Sequence, residues 1–375
     1  MSQTPRVSIQ QCFSTLTDPR RRKVTYPLVN VVTMAICAVL SGADDFVAIA
    51  QFGTAKRTWL SQFLDLSTGI PSHDRFNAIL GALKVDEFQE CLLALITALH
   101  DVTDGQIVAI DGKTLRRSFD RASSKTAIHL VSVGASANHI SLGQVVVDAK
   151  SNEITAIPKM LKMLELSGCL VTIDAMGCQV EIAQAIVDAK ADYILAVKNN
   201  QRTLAQSIDA YFAEHAQDDF QRVDVRRYSK KEKGHGREEH REYVVCRVPE
   251  KLPGASRWPK LAAIGMVFAC VLRDGVEHME CRHYILSKYL SARKFAQAVR
   301  DHWSNDNRPH WQLDVTFQED QCRLRKGNAD ANFSTLRRTA LSLLKNNHSQ
   351  KVGVKNKRLL AALDDDYLLE VLLGK

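Results

Sequence analysis

Hydrophobic positions along the chain change period twice. Over the first hundred residues they recur at helical spacing. Phe76, Ile79, Leu80 and Leu83 fall at i, i+3, i+4 and i+7, and Ser72 or Asp74 before them supplies a helix cap. A further apolar helix is expected from Phe88 to Leu99, and a polar stretch, Asp101 to Gln106, ends the region. From Ile107 the pattern becomes short β-branched runs: Ile107–Ile110, His129–Val133, Gly143–Val147, Leu170–Ile173 and Asp192–Val197. Helical patterns at Ile154–Leu166 and Val180–Ala189 separate the later runs, so a sheet with helical crossovers is predicted. Short strands at Val223–Val225, Tyr243–Cys246, Gly265–Cys270 and His283–Ile285 then surround a charged loop, Lys230–Arg241. They predict a small β insertion over about residues 220–285. Helix returns from Ala292 to Lys345.

Two of the apolar runs end in an acid. Ile107–Ile110 leads into Asp111 and Leu170–Ile173 into Asp174. A carboxylate leaving a buried strand faces the crevice where α/β sheets do chemistry. Two such carboxylates on neighbouring strands could share hard divalent cations, which take oxygen ligands from one or two carboxylates plus substrate phosphates. That pattern points to phosphoryl transfer on nucleic acid. Gly112 after Asp111 permits close approach, and Lys113, Arg116 and Arg117 follow as phosphate contacts. Lys198 stands at a third strand exit, where a point charge suits a phosphate.

Composition narrows the partner. In 375 residues, 45% are hydrophobic and 25% charged, as in ordinary globular proteins, with ample chain for a core. The net charge of +8 and a pI near 9.0 favour a polyanion. Nine scattered cysteines without a C-x-x-C pair argue against a zinc site and for a reducing cytoplasm. The apolar stretch Val29–Gly42 is shorter than the roughly 20 residues a membrane span requires, so it reads as a buried helix. In the stretch Val299–Asp320, His302, Asp306 and His310 recur at i, i+4 and i+8, one face of a continuous helix. Asp306 is the candidate third carboxylate. Glu319 and Asp320, after the strand-like Val315–Phe317, compete with it.

The chain resembles the DDE transposases of bacterial insertion sequences, of the ISAs-type or H-repeat-associated family. The likeness runs through DPR (Asp18–Arg20), YPL (Tyr26–Leu28), GIPSHD (Gly69–Asp74), IDGKTLRRS (Ile110–Ser118) and GQVVVDAKSNEITAIP (Gly143–Pro158). It continues with TIDAMGCQ (Thr172–Gln179), ADYILAVKNNQ (Ala191–Gln201), GHGREEHR (Gly234–Arg241) and HWQLDVTFQED (His310–Asp320). The resemblance implies an α/β fold: a ribonuclease-H-like catalytic core over residues 101–375 with a β-rich insertion, preceded by a helical N-terminal domain over residues 1–100. It implies cleavage and strand transfer at insertion-sequence ends, with two Mg²⁺ ions (Mn²⁺ an alternative) held by Asp111, Asp174 and Asp306. The expected partner is double-stranded DNA, as terminal inverted repeats and target, with a homodimer in the DNA complex and no membrane. Lys113, Arg116, Arg117, Lys198, Arg237, Arg323, Arg325 and Lys326 are the expected DNA contacts, and Arg337 and Arg338 extend that basic stretch.

The third acidic motif departs from the family pattern HWxIENxLHW. Asp306 replaces Glu, and Asn305 and Pro309 replace apolar residues. Asp is shorter by one C–C bond, roughly 1.5 Å. A proline inside a helix removes a donor and crowds the carbonyl four residues back. A degenerate transposase that only binds DNA, and a metal-dependent nuclease without strand transfer, are the alternatives.

Overall fold

The structure is a computed structural model. It describes residues 9–21, 24–99, 106–115, 128–135, 140–147, 153–162, 164, 166–234, 237–273 and 275–374. Within 111–115, 128–132, 140–147 and 303–310, and at 153 and 159, the description covers the backbone alone. Arg116 and Arg117 therefore lie outside the described residues.

Among the described residues six helices come first: α1 (Ile9–Cys12), α2 (Leu28–Leu40), α3 (Phe46–Ala55), α4 (Arg57–Leu60), α5 (His73–Ala82) and α6 (Val85–Leu99). Helix α2 is apolar on every side and buried from Asn30 to Leu40, as a central core helix must be. No helix among the described residues is long and apolar enough to cross a membrane. Asp45 caps α3 by accepting from the Ala48 N–H at 2.8 Å, and Ser72, rather than Asp74, caps α5. The expected stripe Phe76, Ile79, Leu80 and Leu83 is buried.

The sheet begins with β1 (Ile107–Leu115), β2 (Ile128–Ala135) and β3 (Ile140–Val147). Helix α7 (Glu153–Lys162), β4 (Leu170–Ile173), α8 (Val180–Asp188), β5 (Asp192–Val197) and α9 (Arg202–Ala216) follow. The remaining strands are β6 (Val225–Gly234), β7 (Arg237–Arg247), β8 (Ala263–Arg273) and β9 (Val276–Leu286). Together they form one mixed nine-stranded sheet, ordered β3-β2-β1-β4-β5-β9-β8-β7-β6. Strands β1, β4 and β5 are parallel neighbours, whereas β1–β2 and β2–β3 pair antiparallel.

Alternation along each strand divides the apolar side chains between two faces. Val108, Ile110, Val171, Ile173, Tyr193 and Leu195 pack with α7, α8 and α9. Ile107, Leu170, Ile194, Tyr243 and Tyr284 pack with Phe295, Ala296 and Val299 of α10 (Ala292–Val315). Helix α10 continues through Pro309 without ending there.

Strands β6 to β9, in the region expected as a β insertion, extend the main sheet: β9 docks antiparallel on β5, with Val197 opposite His283. One expectation is corrected. The segment Lys230–Arg241 is the end of a β6–β7 hairpin rather than a charged loop. Its ladder carries ion pairs, Lys233 with Glu238 across the strands and Glu232 with Arg241 at 3.3 Å, while Glu232 also reaches Arg300 of α10 at 3.0 Å. Charged side chains fill the hairpin end, so it shows no hydrophobic alternation to read, and cross-strand charge pairs support it instead.

Helices α11 (Ala329–Asn346), α12 (Val354–Leu363) and α13 (Asp365–Leu373) pack with α1–α6 in one apolar core. The two ends of the chain thus build a common helical layer. At one junction Gly327, at φ +56°, lies so close to α5 that a Cβ there would stand 2.4 Å from the Gly81 carbonyl oxygen. The Asn332 amide donates to the Leu80 carbonyl at 2.7 Å and the Asn328 amide to Leu83 at 2.9 Å, satisfying free carbonyls at the end of α5. Helix α10 reaches both cores, through Phe295 in one and Leu313 in the other.

Candidate active site

Strands β1 and β4 align Ile110 with Ile173, so Asp111, which continues β1 rather than ending it as expected, and Asp174, which leaves β4, stand at the same level of two adjacent parallel strands. Neighbouring strands lie about 4.8 Å apart, which puts the two backbones within reach of one ion. Beyond Ile173, β4 turns away while β1 continues beside β2, opening a crevice at the C-terminal end of β4.

The Asp174 carboxylate is half-buried and held from behind. Its Oδ1 accepts the backbone N–H groups of Met176 at 3.1 Å and Gly177 at 3.2 Å. The loop itself is stitched to the exit of β5. Asn200 donates to the Ala175 carbonyl at 2.6 Å, and Gln201 to that of Cys178 at 2.9 Å. Gly177 is required where it stands, because a Cβ would meet Ile173 Cγ2 at 2.3 Å. The motifs around Thr172 and Lys198 therefore build one rigid ledge.

The third segment approaches from α10. His302 is buried, and its Nδ1 lies 3.2 Å from Thr172 Oγ1, two residues before Asp174. Burial pushes the imidazole down to about 4, against the pull of the nearby Asp174 charge. A neutral ring is therefore the buried species, and it pins α10 to β4. Asp306 lies one helical turn further along the same face. Its side chain, like those of Asp111, Lys113 and His310, lies outside the described residues.

The crevice next to Asp174 is lined further by Ala196, Lys198, Glu280, Arg282 and Val299. Lys198 is exposed at the β5 exit. Other basic residues expected at DNA are placed elsewhere. Arg237 starts β7 at the far hairpin, 4.0 Å from Glu239. Arg323, Arg325 and Lys326 are exposed in the segment before α11, on the helical layer. Arg337 and Arg338 are buried, contrary to the expectation of surface contacts. Arg337 lies over the Phe333 ring at 4.3 Å and donates to the Asp44 carbonyl. Glu319 is also corrected: it sits buried in a 3-10 turn, accepting from Ser334 at 2.7 Å, within the helical layer. Thr172, Glu280 and Arg282 were not singled out in the sequence; the one available signal was their alternation along strands.

A family model described as "Transposase DDE domain" matches residues 102–343, and one described as "DDE_Tnp_1-associated" matches residues 10–96. The chain belongs to the DDE transposase family. It is 37% identical over 372 residues to the "H repeat-associated putative transposase YhhI" of Escherichia coli K12, covering 98% of each. It is 40% identical over 370 residues to the "Putative transposase YncI" of Escherichia coli O157:H7, covering 97% of this chain and 94% of that protein. A solved piggyBac transposase synaptic complex with hairpin DNA aligns over 97% of this chain and 81% of that one, at 11% identity and a TM-score of 0.39, too distant to argue from. A transposase DDE domain implies a divalent metal cofactor. Asp174 at the end of β4, and Asp111 within β1 beside it, are carboxylates of the hard-oxygen type that such a cation takes.

Proposed function

We propose that this transposase cuts DNA at insertion-sequence ends and joins them to a target in a Mg²⁺-dependent reaction. The observation that carries the reading is the register that sets Asp111 beside Asp174. The order β3-β2-β1-β4-β5, with β2 alone reversed, supports a ribonuclease-H-like core, and β6 to β9 precede the third acidic residue as an insertion should.

Asp111, Asp174 and Asp306 would hold the cations, two Mg²⁺ ions with Mn²⁺ as the alternative. The chemistry such ions supply when bound is activation of a water or 3′-hydroxyl and neutralisation of charge on the leaving oxygen. The chain's own groups do the positioning. The Met176 and Gly177 N–H groups orient the Asp174 carboxylate. The Thr172–His302 contact fixes the turn of α10 that precedes Asp306. Lys198 offers a charge to a phosphate at the crevice edge, and Lys113, Arg116 and Arg117 extend the basic track.

The test is incubation of the protein and a terminal-repeat duplex with Mg²⁺, followed by separation of nicked, cut and joined products. Asp174→Asn and Asp111→Asn each abolish both products while DNA binding persists or tightens, because the amide keeps shape but removes ligand charge. Parental cleavage by either variant refutes the metal assignment. Cut without joined product favours the simple nuclease. Binding without any cleavage favours the degenerate transposase, a reading supported by the shorter carboxylate at Asp306.

A further inference from the structure

The wall of the crevice facing Asp174 belongs to β9, which enters the sheet only because the insertion docks on β5. Glu280, Arg282 and Tyr284 alternate along β9 and so share one face. Tyr284 is buried edge-on to Phe295 of α10, with ring centroids 5.4 Å apart, which fixes the strand from below. Further out, the Arg282 guanidinium grips Glu280 as a fork. Its Nε donates to Oε1 and its Nη2 to Oε2, both at 2.6 Å. Lys198, just beyond the end of β5, makes no ion pair among the described residues. The Arg282 hydrogen bonds hold the Glu280 carboxyl below the usual range against partial burial, and the charges of Arg282 and Lys198 add to the effect.

A fork that fits a carboxylate fits a phosphate equally, because both present two coplanar acceptor oxygens to the guanidinium. The Glu280 side chain is 56% exposed and that of Arg282 31%. An exposed pair of this kind contributes little, so a competing anion displaces it readily. We propose that Arg282, together with Lys198, receives a DNA phosphate beside Asp174, and that Glu280 occupies the Arg282 fork as a stand-in for that phosphate while the crevice is free of DNA. This rests on the reading of the crevice as the DNA-processing site and adds the group that admits the substrate. The carboxylate keeps the empty crevice close to neutral. A polyanion displaces it by engaging Lys198 and Arg282 together, which a single small anion does only weakly.

The experiment is fluorescence anisotropy with a short fluorescein-labelled DNA duplex of arbitrary sequence, in EDTA, titrated with NaCl. Full-length protein is used throughout. Phosphate contacts are independent of sequence, so an arbitrary duplex suffices. Arg282→Ala weakens binding about tenfold and reduces the log–log salt slope by about 1. Glu280→Gln frees the fork and tightens binding several-fold, roughly the worth of the lost pair. In the Arg282→Ala background the gain from Glu280→Gln shrinks, since no fork remains to be freed. Glu280→Gln alters an exposed side chain and so remains informative even if Arg282→Ala folds poorly. Parental affinity and slope in folded Arg282→Ala, or binding no tighter in Glu280→Gln, overturns the proposal. If the parent cuts DNA with Mg²⁺ and these variants bind like the parent, this inference alone fails. If the parent neither binds nor cuts, both readings fail.

Discussion

Replacing Arg358 by Met tests how the helical layer holds α10. Arg358 lies on α12 with only 6% of its surface exposed. Its Nε donates to the Val39 carbonyl at 3.1 Å, its Nη2 to that of Ala43 at 3.3 Å and to Asp44 Oδ1 at 2.9 Å. Its Nη1 donates to the Thr316 carbonyl at 2.5 Å, and the guanidinium lies 4.1 Å above the Phe317 ring. One side chain thus ties the end of α2 to the end of α10. Methionine keeps the apolar volume but leaves three carbonyls and a carboxylate without this donor. Breaking a buried pair costs about 3–5 kcal/mol. Asp44 is 31% exposed and can recover water, so the lower end applies, about 3 kcal/mol. Urea unfolding followed by circular dichroism should show a lower midpoint with an unchanged slope. Asp44→Asn, alone and combined, should give a coupling of about 1–2 kcal/mol with Arg358→Met. Because Thr316 follows directly on α10, Mg²⁺-dependent cleavage should also fall below the melting range. A loss under about 0.5 kcal/mol in Arg358→Met would refute the reasoning, since that is the scale of an ordinary surface change.

Gly177→Ala drives a methyl into Ile173 and should cost about 1–3 kcal/mol while displacing the loop behind Asp174; melting temperature and cleavage should fall together. His302 titrates near 4 when folded and near 6.5 when unfolded, so the unfolded state binds more protons between those values. In metal-free buffer its contribution to stability is fully present above about pH 6.5 and is lost as pH falls towards 4. Urea midpoints of His302→Phe against pH should be flatter over that window, and parallel curves would disprove the assignment. Asp306→Glu combined with Pro309→Leu restores the longer carboxylate and the missing backbone donor, and should raise Mg²⁺-dependent cleavage above the parent. Unchanged cleavage in Asp306→Ala, scored on the same gel, would remove Asp306 from the site.

The sequence by itself determined the local elements and the acid at the end of β4, whereas Asp111, expected at a strand end, lies within β1. Strand β5 runs from Asp192 to Val197, the bounds expected from its β-branched run, and Ser72 caps α5 at the position its spacing indicated. These features are written in nearest neighbours: side-chain period, capping oxygens and turn residues act within one turn or one strand. The adjacency of β1 and β4, which sets Asp111 beside Asp174, was an expectation from sequence and became a register only in the assembled sheet. The docking of β9 on β5 brings Glu280 and Arg282 to the crevice, although both lie more than seventy residues from the nearest strand-end motif in the chain. Burial of Arg337, Arg338 and Glu319 was likewise invisible, because a charged residue reads as surface until a partner from elsewhere covers it. Both ends of the chain fill one helical core, and α10 joins it to the sheet. Those outcomes follow from contacts between residues far apart in the chain, and no window of sequence contains both partners.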